Sequence, residues 1–157
     1  MSTEQKYGLE SYANLAAAST SFGGRDGASL DPENAQILII PVPYDATTTY
    51  MPGTRQGPGA ILRASQHLEL FDEETGQEVF RVGIATLEEM EVDASNPSAM
   101  VDKVRSLGEN TLDIGLFPLM LGGEHLLSLG MIQAMAGRVD DLSVLQLDAH
   151  ADLRKTY

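Results

Sequence analysis

The residues best suited to chemistry stand at the end of an apolar run, Val144-Leu145-Gln146-Leu147-Asp148-Ala149-His150-Ala151-Asp152. Asp, His and Asp recur at every second position, and in extended backbone that spacing projects all three side chains to one side. Carboxylates and imidazoles bind hard to borderline divalent ions such as Mn, Fe, Zn or Ni, and an aspartate can bridge two ions because its oxygens need not share one. A second apolar run leads into Gly122-Gly123-Glu124-His125, where another imidazole can complete the set. Two ions about 3.5 to 4 Å apart lower the pKa of a shared water and stabilise charge as it attacks an electrophilic carbon. The pattern reads as half of a two-metal hydrolase site, with His125, Asp148, His150 and Asp152 as candidate ligands and the other half absent from the chain. Glu124 has a supporting role in this reading, beside the ligands or at the positive end of a helix dipole. His67 follows a helical apolar stripe away from both turns and is left out of the site. A phosphate-binding reading of Gly122-Gly123 lacks the rest of a nucleotide fingerprint.

These side chains need elements to hold them. Ile37-Leu38-Ile39-Ile40, within Gln36 to Pro41, is a continuous apolar run of the kind found in strands covered on both faces. A loop rich in Pro, Gly, Thr and Tyr follows, and Gly57-Pro58 then opens a helix through Ile61, Leu62, Ser65 and Leu68. The alternation over Val79 to Ile84 predicts a strand, placed at an edge. Asn96-Pro97 predicts a helix start, with Met100, Val101, Val104, Leu107 and Leu112 as its buried stripe and Gly115 as its stop. Leu116 to Leu121 predicts a third buried strand, although Pro118 removes one ladder donor. A helix over Glu124 to Ala136 is apolar nearly all round and so is expected to be buried, with its methionines as core filling and Gly137 as its cap. The run before Asp148 is the fourth strand. Strands alternating with helices predict an α/β fold built on a parallel sheet with right-handed crossovers. Both motifs then fall at carboxyl ends of strands, where such sheets form their sites.

Composition narrows the partners. With 157 residues, 43% of them apolar, the chain is long enough to bury one ordinary core. It has no cysteine, so any ligands are nitrogen and oxygen, in keeping with a reducing cytoplasm. Ten Lys and Arg against 23 Asp and Glu give a net charge of −13, which repels phosphate backbones and attracts cations. Nucleic acid is excluded as a partner. The first residues lack the pattern of a signal peptide, and no apolar stretch approaches the ~20 residues of a membrane span. The expected location is cytoplasmic.

Taken together, four ordered elements resemble the ureohydrolase family of arginase and agmatinase, and its agmatinase branch most closely. They are Pro41-Val42-Pro43-Tyr44-Asp45, the stretch from Pro52 to Ile61, Gly122-Gly123-Glu124-His125 and Asp148-Ala149-His150-Ala151-Asp152. The resemblance covers about residues 36 to 154. It implies an arginase-like three-layer α/β fold, a parallel sheet flanked by helices and incomplete in this chain: 1–35 is an N-terminal arm and 36–157 the N-terminal half of the domain. It also implies a manganese enzyme of polyamine metabolism, holding two Mn2+ ions, in which metal-bound hydroxide cleaves a cationic guanidino compound to urea and an amine. By that resemblance His125 and Asp152 bind one ion, His150 the other, and Asp148 bridges them, while Arg55 holds loops together. Leu126 departs from the family's usual Ser. The family's later Asp-x-Asp pair and its proton-transfer residues are not found here. A C-terminal half or complementing chain is therefore expected, along with a homo-oligomer. The alternative is a non-catalytic subunit or inactive fragment that keeps the fold and a partial metal site.

Overall fold

Six consecutive residues with little need for water, Ile37–Val42, form the central strand β1, and five of the six are buried. The computed structural model describes residues 21–24 and 34–153, so most of the arm expected over 1–35 lies outside the described residues. From β1 the order continues through α1 (Gly57–Ser65), β2 (Ile84–Thr86), α2 (Pro97–Asp113), β3 (Phe117–Gly122) and α3 (Leu127–Ala136). The strands form one parallel sheet in the order β2-β1-β3, with Ile37 opposite both Ile84 and Phe117, and Ile39 opposite Thr86 and Leu119. Moving from β1 to β2 and then back across β1 to β3 reverses direction in the sheet. Right-handed crossovers therefore put α1 and α2 on opposite faces, which yields the expected three layers. On one face Leu38, Ile40 and Val42 pack with Met100, Val104, Leu107 and Leu127 of α2 and α3. Among the described residues no helix is long and apolar enough to cross a membrane.

Local chemistry explains the element ends. The Asn96 side chain accepts a hydrogen bond from the Ala99 N–H at 3.0 Å, and Pro97 occupies the first helical turn, as the sequence predicts for α2. Gly115, at φ 81°, turns the chain out of α2. Phe117 N–H bonds Gln36 C=O at 2.8 Å, so alternation turns Pro118 toward the outer edge of β3, where its missing donor costs no bond to β1. Gly108 and Gly130 let α2 and α3 cross closely. A Cβ on Gly130 would stand 2.6 Å from the Val101 carbonyl oxygen and 2.9 Å from Val104 Cβ.

Four expectations are corrected. Val79–Val82 forms a 3-10 turn, and the strand begins only at Ile84, because Gly83 at φ 79° bends the chain while its carbonyl accepts from Gln36 and Ile37. The third strand, β3, is not buried; with a neighbour on one side only among the described residues, all six of its residues are exposed or half-buried. The helix expected from Glu124 begins at Leu127 and buries one face, Leu127, Gly130 and Ala134, and Gly137 closes it in ordinary right-handed backbone. Most consequentially, the apolar run before Asp148 is no strand here. It makes no ladder among the described residues, and Val144, Leu145 and Leu147 are 59%, 84% and 90% exposed. An apolar run becomes a buried strand only where other strands and a covering layer receive it, and none of the described elements does so.

The loop between β1 and α1 is gathered by one carboxylate. Asp45, whose side chain is only 4% exposed, accepts from the Gly53 N–H at 2.7 Å, the Arg55 N–H at 3.3 Å and Arg55 Nη1 at 3.1 Å. Its own carbonyl accepts from the Thr48 hydroxyl at 2.9 Å. The Gly53 N–H, helped by the Arg55 N–H and guanidinium and opposed by burial, holds the Asp45 carboxyl below the usual carboxylate range. Arg55 does hold the loop together, as a partner of Asp45.

Two outcomes follow from this packing. Gly130→Ala gains about 1 kcal/mol of helix propensity but forces a methyl against backbone, an overpacking cost of roughly 1–3 kcal/mol; a net fall in the urea-unfolding midpoint is expected. For Asp45 the folded pKa is depressed, so its contribution is complete above the unfolded carboxylate value of about 3.9 and is lost as pH falls through the lower folded value. The stability gap between the wild type and Asp45→Asn, measured by denaturant unfolding across acid pH, should therefore be widest above pH ~4 and close toward strong acid.

Candidate metal centre

Two segments converge beyond the carboxyl end of the sheet. The first is the turn Gly122 to Leu126 that leaves β3. Gly123 is pressed against the β1 loop so closely that a Cβ there would meet the Tyr44 carbonyl oxygen at 2.2 Å and Arg55 Cα at 3.1 Å. Only glycine fits. Glu124 then accepts from the Thr47 N–H at 2.9 Å and from the Thr47 hydroxyl. The loop ordered by Asp45 is thereby tied to the turn that carries His125. Glu124 sits before the first turn of α3, so its structural role is this tie rather than a helix-dipole contact.

The second segment is Asp148 to Asp152. Its backbone does not stay extended as expected: the chain bends at Ala149, and Asp152 adopts φ 49°, a left-handed conformation that Asp tolerates better than most residues. Asp148 and Asp152 consequently meet His125, whose Nδ1 lies 4.0 Å from Asp148 Oδ2 and 3.5 Å from Asp152 Oδ2. His150 approaches Asp148 instead, with Nδ1 3.7 Å from Oδ1, while its own side chain is 82% exposed. His150 lines the same cleft as His125 and Asp152, and the three groups with ligand atoms gathered most tightly are His125, Asp148 and Asp152. The His150 N–H donates to Asp148 Oδ1 at 2.9 Å. That bond, with the Gln146 amide and the two nearby imidazoles, outweighs desolvation and holds the Asp148 carboxyl below the usual range.

The donor set suits a divalent cation. One ligand atom each from His125, Asp148 and Asp152 lie within 4.8 Å of one another. Donors bound to one ion at about 2.1 Å sit roughly 3 to 3.5 Å apart, so small side-chain movements bring this nitrogen and these oxygens into range. Asp148 lies within 4.0 Å of both imidazoles. His125, His150 and Asp152 line a cleft of about 920 Å³. Its other wall is Thr47, Thr48, Thr49 and Tyr50, and among the described residues neither Lys nor Arg lines it.

Sequence reasoning treated the loop wall as scaffold and did not single out Thr47 or Tyr50. The available signal was positional, since the loop leaves the carboxyl end of the central strand. His67, left out of the site, is exposed and does not line the cleft.

Comparison with known proteins accounts for this arrangement. A sequence profile described as the arginase family matches residues 35–157. The agmatinase of Bacillus anthracis is 35% identical over 125 residues, which are 80% of this chain and 43% of the relative. The N(1)-aminopropylagmatine ureohydrolase of Synechocystis is 35% identical over 130 residues, 79% of this chain and 42% of that protein. The crystal structure of the agmatine ureohydrolase of Thermoplasma volcanium superposes with a TM-score of 0.76 at 27% identity, covering 96% of this chain and 47% of that one. The chain spans less than half the length of these relatives, in the part that resembles their N-terminal half. A parallel three-layer fold, a histidine-carboxylate cluster at its carboxyl end and a profile match through both motifs lead to one statement: the chain belongs to the arginase family.

Proposed function

We propose that residues 36–157 are the N-terminal half of a guanidino-compound hydrolase domain and carry part of its two-metal centre. The observation that supports this reading most strongly is the meeting of His125, Asp148 and Asp152 in a chain of the arginase family. In the proposal His125 and Asp152 hold one Mn2+ ion, His150 holds the second, and Asp148 bridges the two. Bound divalent ions supply Lewis acidity, which lowers the pKa of water and stabilises developing negative charge. The chain's own residues perform the remaining tasks. Asp148, kept anionic by the His150 N–H, offers an oxygen to each side. Glu124 fixes the turn bearing His125 against Thr47, so the imidazole keeps its place at the cleft. Carboxylates at the cleft attract a guanidinium and repel anions, as does the net charge of −13.

The agmatinases and aminopropylagmatine ureohydrolases among the relatives support a substrate in which a guanidino group is attached to an amine-bearing tail, with urea as a product. The proposal includes a cytoplasmic, homo-oligomeric enzyme. One observation favours a second reading, a non-catalytic subunit with a partial site: His125 and His150 are both strongly exposed, so this chain alone does not exclude water from the centre.

The test is Mn2+ titration by calorimetry, followed by urea release from the complete domain. Asp148→Ala should weaken Mn2+ binding by more than about tenfold, since even residues that merely support ligands are worth about 10 to 100-fold, and should abolish urea release. His67→Ala should change neither. Mn2+ binding that is equal in the wild type and Asp148→Ala would remove the metal-centre reading.

A further inference from the structure

The loop wall of the cleft, Thr47 to Tyr50, has its proton inventory largely fixed. The Thr47 hydroxyl bonds the Glu124 carboxylate, and the Thr48 hydroxyl bonds the Asp45 carbonyl at 2.9 Å. An ionised carboxylate and a carbonyl only accept, and a hydroxyl has a single proton, so the threonine is the donor in both bonds. The Thr47 N–H is engaged by Glu124 as well, at 2.9 Å. What these two hydroxyl oxygens still offer is lone pairs. Thr47 and Thr48 therefore line the cleft as acceptors, together with the carboxylates of Glu124 and Asp152.

Tyr50 adds an aromatic face. The loop carries two tyrosines with opposite fates: Tyr44 is 1% exposed and packs in the core, whereas Tyr50 is 83% exposed and lines the cleft. The face of an aromatic ring is its negative pole and attracts cations. Lone pairs, carboxylates and a ring face are all electron-rich. Such a surface matches an ammonium, which only donates hydrogen bonds, and mismatches a carboxylate, which only accepts them. At about 920 Å³ the cleft lies toward the upper end of small-molecule sites, which leaves room for one ligand to engage both this wall and the histidine-carboxylate cluster. The wall is also held in advance of any ligand, because Asp45 gathers Gly53 and Arg55 at its base and Glu124 ties Thr47 to the turn bearing His125. A surface set in this way costs less ordering on binding.

We infer that Thr47, Thr48 and Tyr50 read the tail of the substrate and select for an ammonium at its far end, the threonine oxygens accepting from the ammonium and the Tyr50 ring lying against its charge. A tail ending in carboxylate is rejected by the same chemistry, since neither threonine hydroxyl has a proton left to donate. The inference rests on the hydrolase reading above and adds to it the residues that set specificity.

The experiment measures urea release from the complete, Mn2+-loaded domain with three probes of similar length: aminobutylguanidine, which ends in ammonium, pentylguanidine, which ends in methyl, and guanidinobutanoate, which ends in carboxylate. Wild type is expected to favour aminobutylguanidine over each of the others by at least about tenfold in kcat/KM. That order should persist at about 1 M salt, where charges more than about 3 Å apart are screened, because it arises from contact rather than from the net charge of −13. Tyr50→Leu should raise KM for aminobutylguanidine by about two- to tenfold with little change in kcat, the mark of binding energy lost far from the reacting bond, and Tyr50→Phe should restore it. Thr49→Arg puts a cation on the wall and should reverse the preference between aminobutylguanidine and guanidinobutanoate. Thr49 and Tyr50 are both exposed, so neither substitution removes core packing. A readout independent of turnover is the NMR spectrum of the metal-free protein, in which saturating aminobutylguanidine should shift the Tyr50 ring signals, identified by their loss in Tyr50→Leu. Urea from none of the probes would overturn the hydrolase reading and this inference with it. Urea from all three with equal kcat/KM, an order that collapses in salt, a preference that survives both Tyr50→Leu and Thr49→Arg, or unshifted Tyr50 signals would overturn this inference and leave the hydrolase reading standing.

Discussion

The backbone of Gly123 lies against the backbone of Tyr44 and Arg55, and the geometry of the candidate centre depends on that contact. It joins two strand-end loops that flank the cleft and leaves no room for a side chain between them. On one side of the contact Asp45 collects Gly53 and Arg55 into a fixed loop. On the other, Glu124 reaches back to Thr47 and sets the position of His125. The stability of this corner is thus polar and local. It rests on a buried carboxylate with several donors, and such groups hold geometry because leaving any partner unmade is costly.

Behind the corner the support is apolar. β1 is covered on both faces, and α2 and α3 cross closely over glycine to pack Met100, Val104, Leu107 and Leu127 against one side of it. Burial falls away from β1 toward the second segment, where Asp148 to Asp152 is exposed. The ligand set therefore combines one residue delivered by a rigid corner, His125, with two carboxylates on a segment that still lacks neighbours.

Much of the architecture was legible from local chemistry. The apolar run of β1, the Asn96-Pro97 start of α2 and the β-α alternation each have a near-neighbour cause, and each appears where the pattern put it. Errors arose where a non-local partner decides the outcome. Val79–Val82 alternates as a strand does, yet Gly83 bends it into a turn against Asn34 and Ala35. Val144 to Leu147 has a strand's composition and no strand beside it. Asp148-x-His150-x-Asp152 has the spacing for one face of extended backbone, but a bend at Ala149 and left-handed Asp152 set the segment otherwise.

The sequence by itself determined which residues could serve as ligands, which stretches are apolar enough to be strands or helices, and that the Gly122-Gly123 motif ends a strand, since those properties reside in side-chain type and spacing. Tertiary structure decided that Glu124 binds Thr47, that Thr47 to Tyr50 form the opposite wall of the cleft, and which sheet edge is left open. Those outcomes depend on contacts between segments far apart in the chain, and spacing along a chain carries no information about distances across a fold.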